Sequence, residues 1–207
     1  MSHSFSTIKP VHHTNRSERF QFHTWNSSQD LELLNPVRAF SQSVYREAGY
    51  SEYKTVNLDR WSTWFFATYE GEIQAATRIV EKTTENKIPL EIAQIHPSGN
   101  HYSVSNLNVA DWNSVSFRQT ILGAQAFTHI TRLVARFCLD KNFDLVYGMI
   151  NPTWKGLERV YYDNGAIPSE EYPSLVCYPG CFLKGQFALF RLIEIRKNAL
   201  RNMASKL

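Results

Sequence analysis

The stretch from Phe143 to Gly165, FDLVYGMINPTWKGLERVYYDNG, constrains the fold more than any other part of the chain. An apolar run ends at Asn151, Pro152 stands where a first helical turn tolerates proline, and a short amphipathic segment stops at Gly165. The spacing therefore predicts a strand that feeds directly into a short helix. In open α/β sheets, ligands sit at such carboxyl ends of strands.

Upstream of this junction, Arg19 to Trp25 alternates like a strand, and Ser28 or Asp30 can cap a helix from about Leu31 to Ala48 that Gly49 ends. Thr63 to Tyr69 and Glu72 to Val80 are β-rich runs around Glu70-Gly71, the pattern of an antiparallel hairpin. A polar connection follows over residues 82–101, then a fourth strand at Val104 to Val109 and a long helix at Phe117 to Leu139. Gln186 to Glu194 supplies a last strand. The order β, α, β, β, β, α, β, α, β contains no repeat and no linker, so one mixed α/β domain is predicted. With 43% apolar residues in 207, such a domain can fill a core.

Charge and composition remove several classes of function. The net charge is +3, and 22 Lys and Arg are interleaved with 19 acids except near Arg191, Arg196, Lys197, Arg201 and Lys206, so no nucleic-acid partner is expected. The apolar run Phe187 to Ile195 is broken by Arg191 and too short for a bilayer, and the amino terminus is polar. No integral membrane segment is expected, and the expected location is cytoplasmic. Cys177 and Cys181 stand at Cys-Tyr-Pro-Gly-Cys without a second ligand pair, so no metal site is expected. Cys138 reads as a small buried hydrophobe, and His12-His13 as solvated tail.

The junction with Tyr161-x-x-x-Gly165 resembles the acceptor-side half of the GNAT acyltransferase fold, where Tyr-x-x-x-Gly closes the helix after the fifth strand. Further motifs narrow this resemblance: Val44 to Tyr50, Asn57-Leu-Asp59-Arg-Trp61, Gly71 to Ile79 with Arg78, and Ile88-Pro-Leu-Glu91. Together they are similar to the amino-terminal half of acyl-homoserine-lactone synthases and of N-acyl amino acid synthases. This implies a flexible lead-in at 1–17, a GNAT-like domain at 18–195 and a basic tail at 196–207. Within the domain a central mixed sheet would be flanked by helices, with strands four and five splayed. Two departures weigh against lactone synthesis: Ser62 replaces a second aspartate after Asp59, and Ser103 to Leu107 lacks the Glu and Arg of the fourth-strand motif.

The resemblance also implies roles. Acyl transfer by direct attack needs a neutral amine, a thioester held nearby, an oxyanion donor and an acid for the thiolate. Tyr161 would be that acid, or else pack the helix onto the sheet, and Glu91 a base acting through water. Backbone groups of Leu107, Asn108 and Val109 would hold the pantetheine arm, and Arg118 would meet a phosphate or an acidic carrier helix. Asp59, Arg78 and Asn151 would face the acceptor, with Asp59 the counter-charge of Arg78; structural anchoring and capping are the simpler roles for Arg78 and Asn151. Trp61, Trp64, Phe65 and Phe66 would line an acyl tunnel; the alternating Trp64 and Phe66 are more simply one core face of a strand. Gly123 lies too deep in the expected helix to let a phosphate loop wrap, which favours a carrier-bound donor.

The implied function is therefore N-acyl transfer from an acyl carrier protein thioester, or from coenzyme A, to a small amine such as an amino acid, with no tightly bound cofactor. A non-catalytic acyl- or protein-binding module and an acetyl-coenzyme A transferase are the alternatives.

Overall fold

The computed structural model describes residues 20–51 and 56–205. The lead-in with His12-His13, together with Arg19 and Lys206, lies outside the described residues. In chain order come β1 (Phe20–Asn26), a 3-10 turn (Leu31–Leu34), α1 (Asn35–Glu47), a second 3-10 turn (Asp59–Trp61), β2 (Ser62–Tyr69) and β3 (Glu72–Glu81). Then follow α2 (Pro89–Ile92), β4 (Gln94–Ile95), β5 (Val109–Phe117), α3 (Ile121–Asp140), β6 (Leu145–Ile150) and α4 (Lys155–Tyr162). Short strands β7 (Ile167–Pro168), β8 (Val176–Cys177), β9 (Phe182–Leu183) and β10 (Gln186–Phe187) precede β11 (Arg191–Arg196) and α5 (Lys197–Ser205).

Local chemistry explains the elements that were legible. Glu70 and Gly71 both have positive φ, +50° and +86°, as the two-residue hairpin between β2 and β3 requires. Gly49, at φ +93°, closes α1 with a left-handed cap: its N–H donates to the Arg46 carbonyl, and the Tyr50 N–H donates to the Tyr45 carbonyl. The rings of Tyr45 and Tyr50 meet edge-on at 5.6 Å, which completes that motif with its usual apolar contact.

A seven-stranded sheet runs in the order β1-β2-β3-β5-β6-β11-β7. All neighbours are antiparallel except β5 and β6, which pair in parallel from Val109–Leu145 to Trp112–Gly148. Past Trp112 this pairing stops. β5 continues to Phe117 against β3 alone, and β6 continues to Ile150 against β11. The two strands therefore splay. A bulge sits on β5 at the same place, where the β3 register shifts between Ala76 and Arg78 and Ser114 takes φ +53°.

Apolar residues fill both faces. One core joins α3 and α5 to Phe65, Ile79, Trp112, Val146 and Ile193. On the other face, Trp64 and Phe66 pack under Val37 and Phe40 of α1, and Val80, Tyr147 and Leu192 pack around α2. No helix among the described residues is long and apolar enough to cross a membrane.

Several expected boundaries move. No strand forms at Val104 to Asn108; the strand occupies Val109–Phe117, where the sequence reads as loop and helix start. Its polar residues are bonded: Ser116 Oγ with Ser41 Oγ at 2.8 Å, and Trp112 Nε1 to Thr77 Oγ1 at 2.8 Å. Consequently α3 starts at Ile121, capped by Thr120, whose hydroxyl accepts the Gly123 N–H at 3.0 Å. Gly123 is thus in the first turn. A Cβ there would collide with the Arg118 carbonyl, so glycine is what lets the Arg118–Thr120 segment fold back over the helix start. The basic tail is likewise mostly a helix: Ala199, Leu200 and Met203 of α5 are buried in the α3 core.

Candidate active site

The splay opens onto a cavity of about 140 Å³ on the α1/α2 face. Its wall is formed by Tyr45 and Tyr50 from the end of α1, Arg78 from β3, and Asn113, Ser114 and Val115 from the bulge. Met149 and Asn151 close it at the end of β6, Trp154 and Leu157 at the start of α4, and Tyr178, Cys181 and Phe190 from the later loops. Arg78 is the one charged side chain among the described lining residues.

A polar chain ties Arg78 into the sheet. Arg78 Nε donates to Asn113 Oδ1 at 2.7 Å, and its guanidinium lies 5.3 Å from the centroid of the Trp64 ring. Asn113 Nδ2 in turn donates to Asp111 Oδ1 at 3.0 Å, and the Leu90 N–H donates to Asp111 Oδ2 at 3.1 Å. Asp111 is fully buried behind this wall. Burial pushes its carboxyl up to about 7, even though the Asn113 and Leu90 hydrogen bonds and the Arg78 charge pull the other way.

The phenols around the cavity differ in where their protons go. Tyr45 donates to the Val115 carbonyl at 3.0 Å and Tyr178 to the Pro89 carbonyl at 3.2 Å. Tyr50 instead accepts from Asn151 Nδ2 at 3.0 Å. Its ring is clamped by Tyr45, by Trp154 edge-on at 5.6 Å and by Phe190 stacked at 6.3 Å. Burial pushes its hydroxyl up to about 12, so it keeps its proton at neutral pH. Cys181 is pushed up to about 11 by burial and by Cys177, and a thiol held protonated is a poor nucleophile. No cluster of three or more metal-ligating side chains exists among the described residues.

Of the residues to which the sequence assigns a catalytic or binding role, Arg78 and Asn151 reach the cavity. Asn151 also caps the turn into α4, accepting from the Thr153 N–H at 2.9 Å. The others lie elsewhere. Asp59, expected as the counter-charge of Arg78, pairs with Arg38 of α1. Glu91 is buried and saturated: Lys82 Nζ approaches at 2.7 Å, and it accepts the Ile88 N–H at 3.0 Å and the Val104 N–H at 3.1 Å. With its oxygens occupied, it clamps α2 to the following loop.

Leu107, Asn108 and Val109 stand at the closed end of the β5–β6 pair. Val109 faces Leu145, and the Asn108 carbonyl accepts the Asp144 N–H at 2.9 Å. The open edge at the splay is residues 113–117 instead. An acid does stand on this strand, as Asp111, so the gap read at Ser103 to Leu107 belonged to another segment. Arg118 is exposed beside the α3 start, where its Nε donates to the Ile73 carbonyl at 3.2 Å.

Tyr161 does not line the cavity. It is buried among the α3 and α5 side chains, edge-on to Trp112 at 5.6 Å, and burial pushes its hydroxyl further up. Trp112 and Asn113 are consecutive on β5, so Tyr161 and the Arg78 chain lie against opposite faces of the sheet. Trp64, Phe65 and Phe66 are strand core on both faces, Trp61 packs against the α2 cluster, and none of the four is among the described residues lining the cavity. Sequence reasoning gave no role to Tyr50, Asp111 or Asn113. Tyr50 carried a signal, the glycine cap before it, but its partner Asn151 is 101 residues away.

No protein-family model matches the chain, and no curated protein matches it. Solved structures do. FeeM, an N-acyl amino acid synthase from uncultured soil microbes, superposes with a TM-score of 0.60 at 11% identity, covering 90% of this chain and 96% of FeeM. The acyl-homoserine-lactone synthase LasI gives 0.58 at 15% identity, over 89% and 94% of the two chains. BjaI, a coenzyme A-dependent acyl-homoserine-lactone synthase solved with S-adenosylmethionine and isopentyl-coenzyme A, gives 0.53 at 12% identity, over 89% and 87%. The chain therefore has the GNAT-like fold of this group, as the motifs implied.

Proposed function

We propose that the protein is an N-acyltransferase. It moves an acyl group from a phosphopantetheine thioester to the amine of a small acceptor, such as an amino acid, by direct attack. The observation that carries this reading is the splay itself: two strands part after Trp112 and Gly148 and open on a cavity walled by Arg78, Asn113 and Asn151. An extended pantetheine arm can lie along the edge of residues 113–117 that no strand covers, as a strand pairs with a sheet edge.

Arg78 suits the acceptor end. A guanidinium at the cavity wall, set over Trp64 and bonded to Asn113, is a fitting partner for a carboxylate. No carboxylate stands among the described lining residues, so the acceptor nitrogen meets a cation and apolar walls. Both lower the pKa of an amine and favour the neutral nucleophile.

The donor is a thioester on an acyl carrier protein or on coenzyme A, and no tightly bound cofactor is needed. Such thioesters are made in the cytoplasm, where this reading places the reaction. Arg118 stands exposed beside the amino end of α3, where it can meet the phosphate the two donors share. A short acyl chain on coenzyme A is the second reading, favoured by a cavity that takes a guest of about benzene size.

Purified protein incubated with acyl carrier protein and coenzyme A thioesters, short and long, and with amino acid pools tests the proposal by release of free thiol. Acceptor-dependent release is the expected result, and the preferred donor separates the two readings. Release that does not respond to any acceptor sinks the acyltransferase reading.

A further inference from the structure

We propose that Tyr50 is the general acid that protonates the departing thiolate. The inference rests on the acyltransferase reading and assigns its proton donor to a different residue from the one the helix motif suggests. A phenol in this role needs a fixed position in the cleft, an undedicated proton and a protonated state at working pH.

Tyr50 meets each requirement. The left-handed cap at Gly49 turns the chain so that Tyr50 stands over Tyr45 at the cavity wall, and Trp154 and Phe190 hold its ring from two further sides. Asn151, at the carboxyl end of β6 beside the splay, donates to its oxygen. That bond fixes the oxygen without consuming the phenol proton, which has no acceptor among the described residues. Tyr45 and Tyr178, by contrast, direct their protons at the Val115 and Pro89 carbonyls. Tyr161 lies against the other face of the sheet, inside the α3/α5 core.

The step balances without a co-reactant. The acceptor nitrogen attacks the thioester carbonyl carbon, the C–N bond forms, and the C–S bond breaks as the oxyanion collapses. The thiolate takes the proton of the Tyr50 hydroxyl, and the proton shed by the nitrogen returns to the phenolate through water. A thiolate formed in an apolar cavity loses hydration just as the phenolate would, so its basicity rises alongside that of the phenol.

Tyr50→Phe keeps the ring and removes the proton, and the donor can be varied to ask what that proton does. With an acyl-pantetheine thioester, kcat falls roughly 100-fold or more. With an acyl thiophenol ester, whose thiolate leaves without protonation, the variant stays within about threefold of wild type, because a weakly basic leaving group needs little acid catalysis. Equal losses with both donors, or no loss with the pantetheine donor, overturn the assignment. Tyr161→Phe run alongside leaves both rates unchanged.

If Tyr50→Phe does not fold, the wild-type enzyme still decides. Its kcat over a series of thioesters of rising thiol basicity is nearly flat when the leaving group is protonated, whereas a steep decline overturns the proposal. Wild-type protein that releases thiol from no donor in response to an acceptor sinks the parent reading, and this one with it.

Discussion

On the α3/α5 face, Trp112 and Tyr161 meet edge-on within a closely packed apolar core. On the α1/α2 face, one residue further along the same strand, Asn113 joins a buried carboxylate to an arginine at a cavity wall. Strand alternation makes the two surfaces adjacent in sequence and opposite in space. Apolar packing fills both surfaces, but only the second carries a hydrogen-bonded chain of charge beside it. A family-like motif does not by itself locate the chemistry: of two motif residues, Tyr161 falls on the packed face and Arg78 on the wired one, where Asn113 and Asp111, which belong to no motif, hold it.

The largest effect comes from the wired face. Lys82→Met leaves Glu91 buried without its cation, a loss of about 3–5 kcal/mol. Urea denaturation measures it, and a loss below about 1 kcal/mol would mean that packing, not charge, governs this face too. Asp111 gives the next effect, read through pH. Its native pKa of about 7 exceeds that of the unfolded chain, so between about pH 4 and 7 the native state holds a proton that the unfolded state has released. Stability therefore falls as pH rises through that window, by about 1.4 kcal/mol per unit and at most about 4 kcal/mol in all. Asp111→Asn removes this decline. Parallel stability–pH curves for variant and wild type would show that Asp111 titrates normally.

Gly49→Ala produces a smaller change. A left-handed φ costs an L side chain about 1–2 kcal/mol, while the nearest neighbour of the new Cβ is the flexible Lys184 Cγ at 3.4 Å. Equilibrium unfolding gives that cost. Because the same cap sets Tyr50 over Tyr45, kcat is expected to fall as well, and a stability loss with kcat intact would show that Tyr50 does not depend on the cap.

The parts of the fold visible in the sequence share one property: local punctuation agrees with periodicity. The β2–β3 turn at Glu70-Gly71, the α1 stop at Gly49 and the β6–α4 junction ending at Gly165 all need a residue type that the local backbone dictates. β5 was not visible because its inward polar residues are satisfied from far away. Asp111 bonds the Leu90 N–H, and Ser116 bonds Ser41 of α1, so the polarity that reads as loop is compatible with burial only once the fold exists. Because the strand lies later than its alternation suggests, the expected donor edge falls at Leu107, Asn108 and Val109, and the expected α3 starts at Phe117, ahead of the loop that Gly123 serves. α5 was hidden differently, since Lys197 and Arg201 obscured the buried Ala199, Leu200 and Met203.

The smallest predicted effect tests the comparison most sharply. Tyr161→Phe removes one hydroxyl from the packed face and keeps the ring that meets Trp112. A buried hydroxyl contributes no more than about 1.5 kcal/mol, so thermal unfolding changes little. Activity does not change, because the sheet lies between this phenol and the cavity wall of Arg78 and Asn113. Were Tyr161 the acid, kcat would fall roughly 100-fold, the scale of acid–base catalysis, with stability intact. The two outcomes differ by far more than any assay error. A loss on that scale would show that the splay exposes both faces of the sheet to the thioester, and that the α4 tyrosine reaches through the gap.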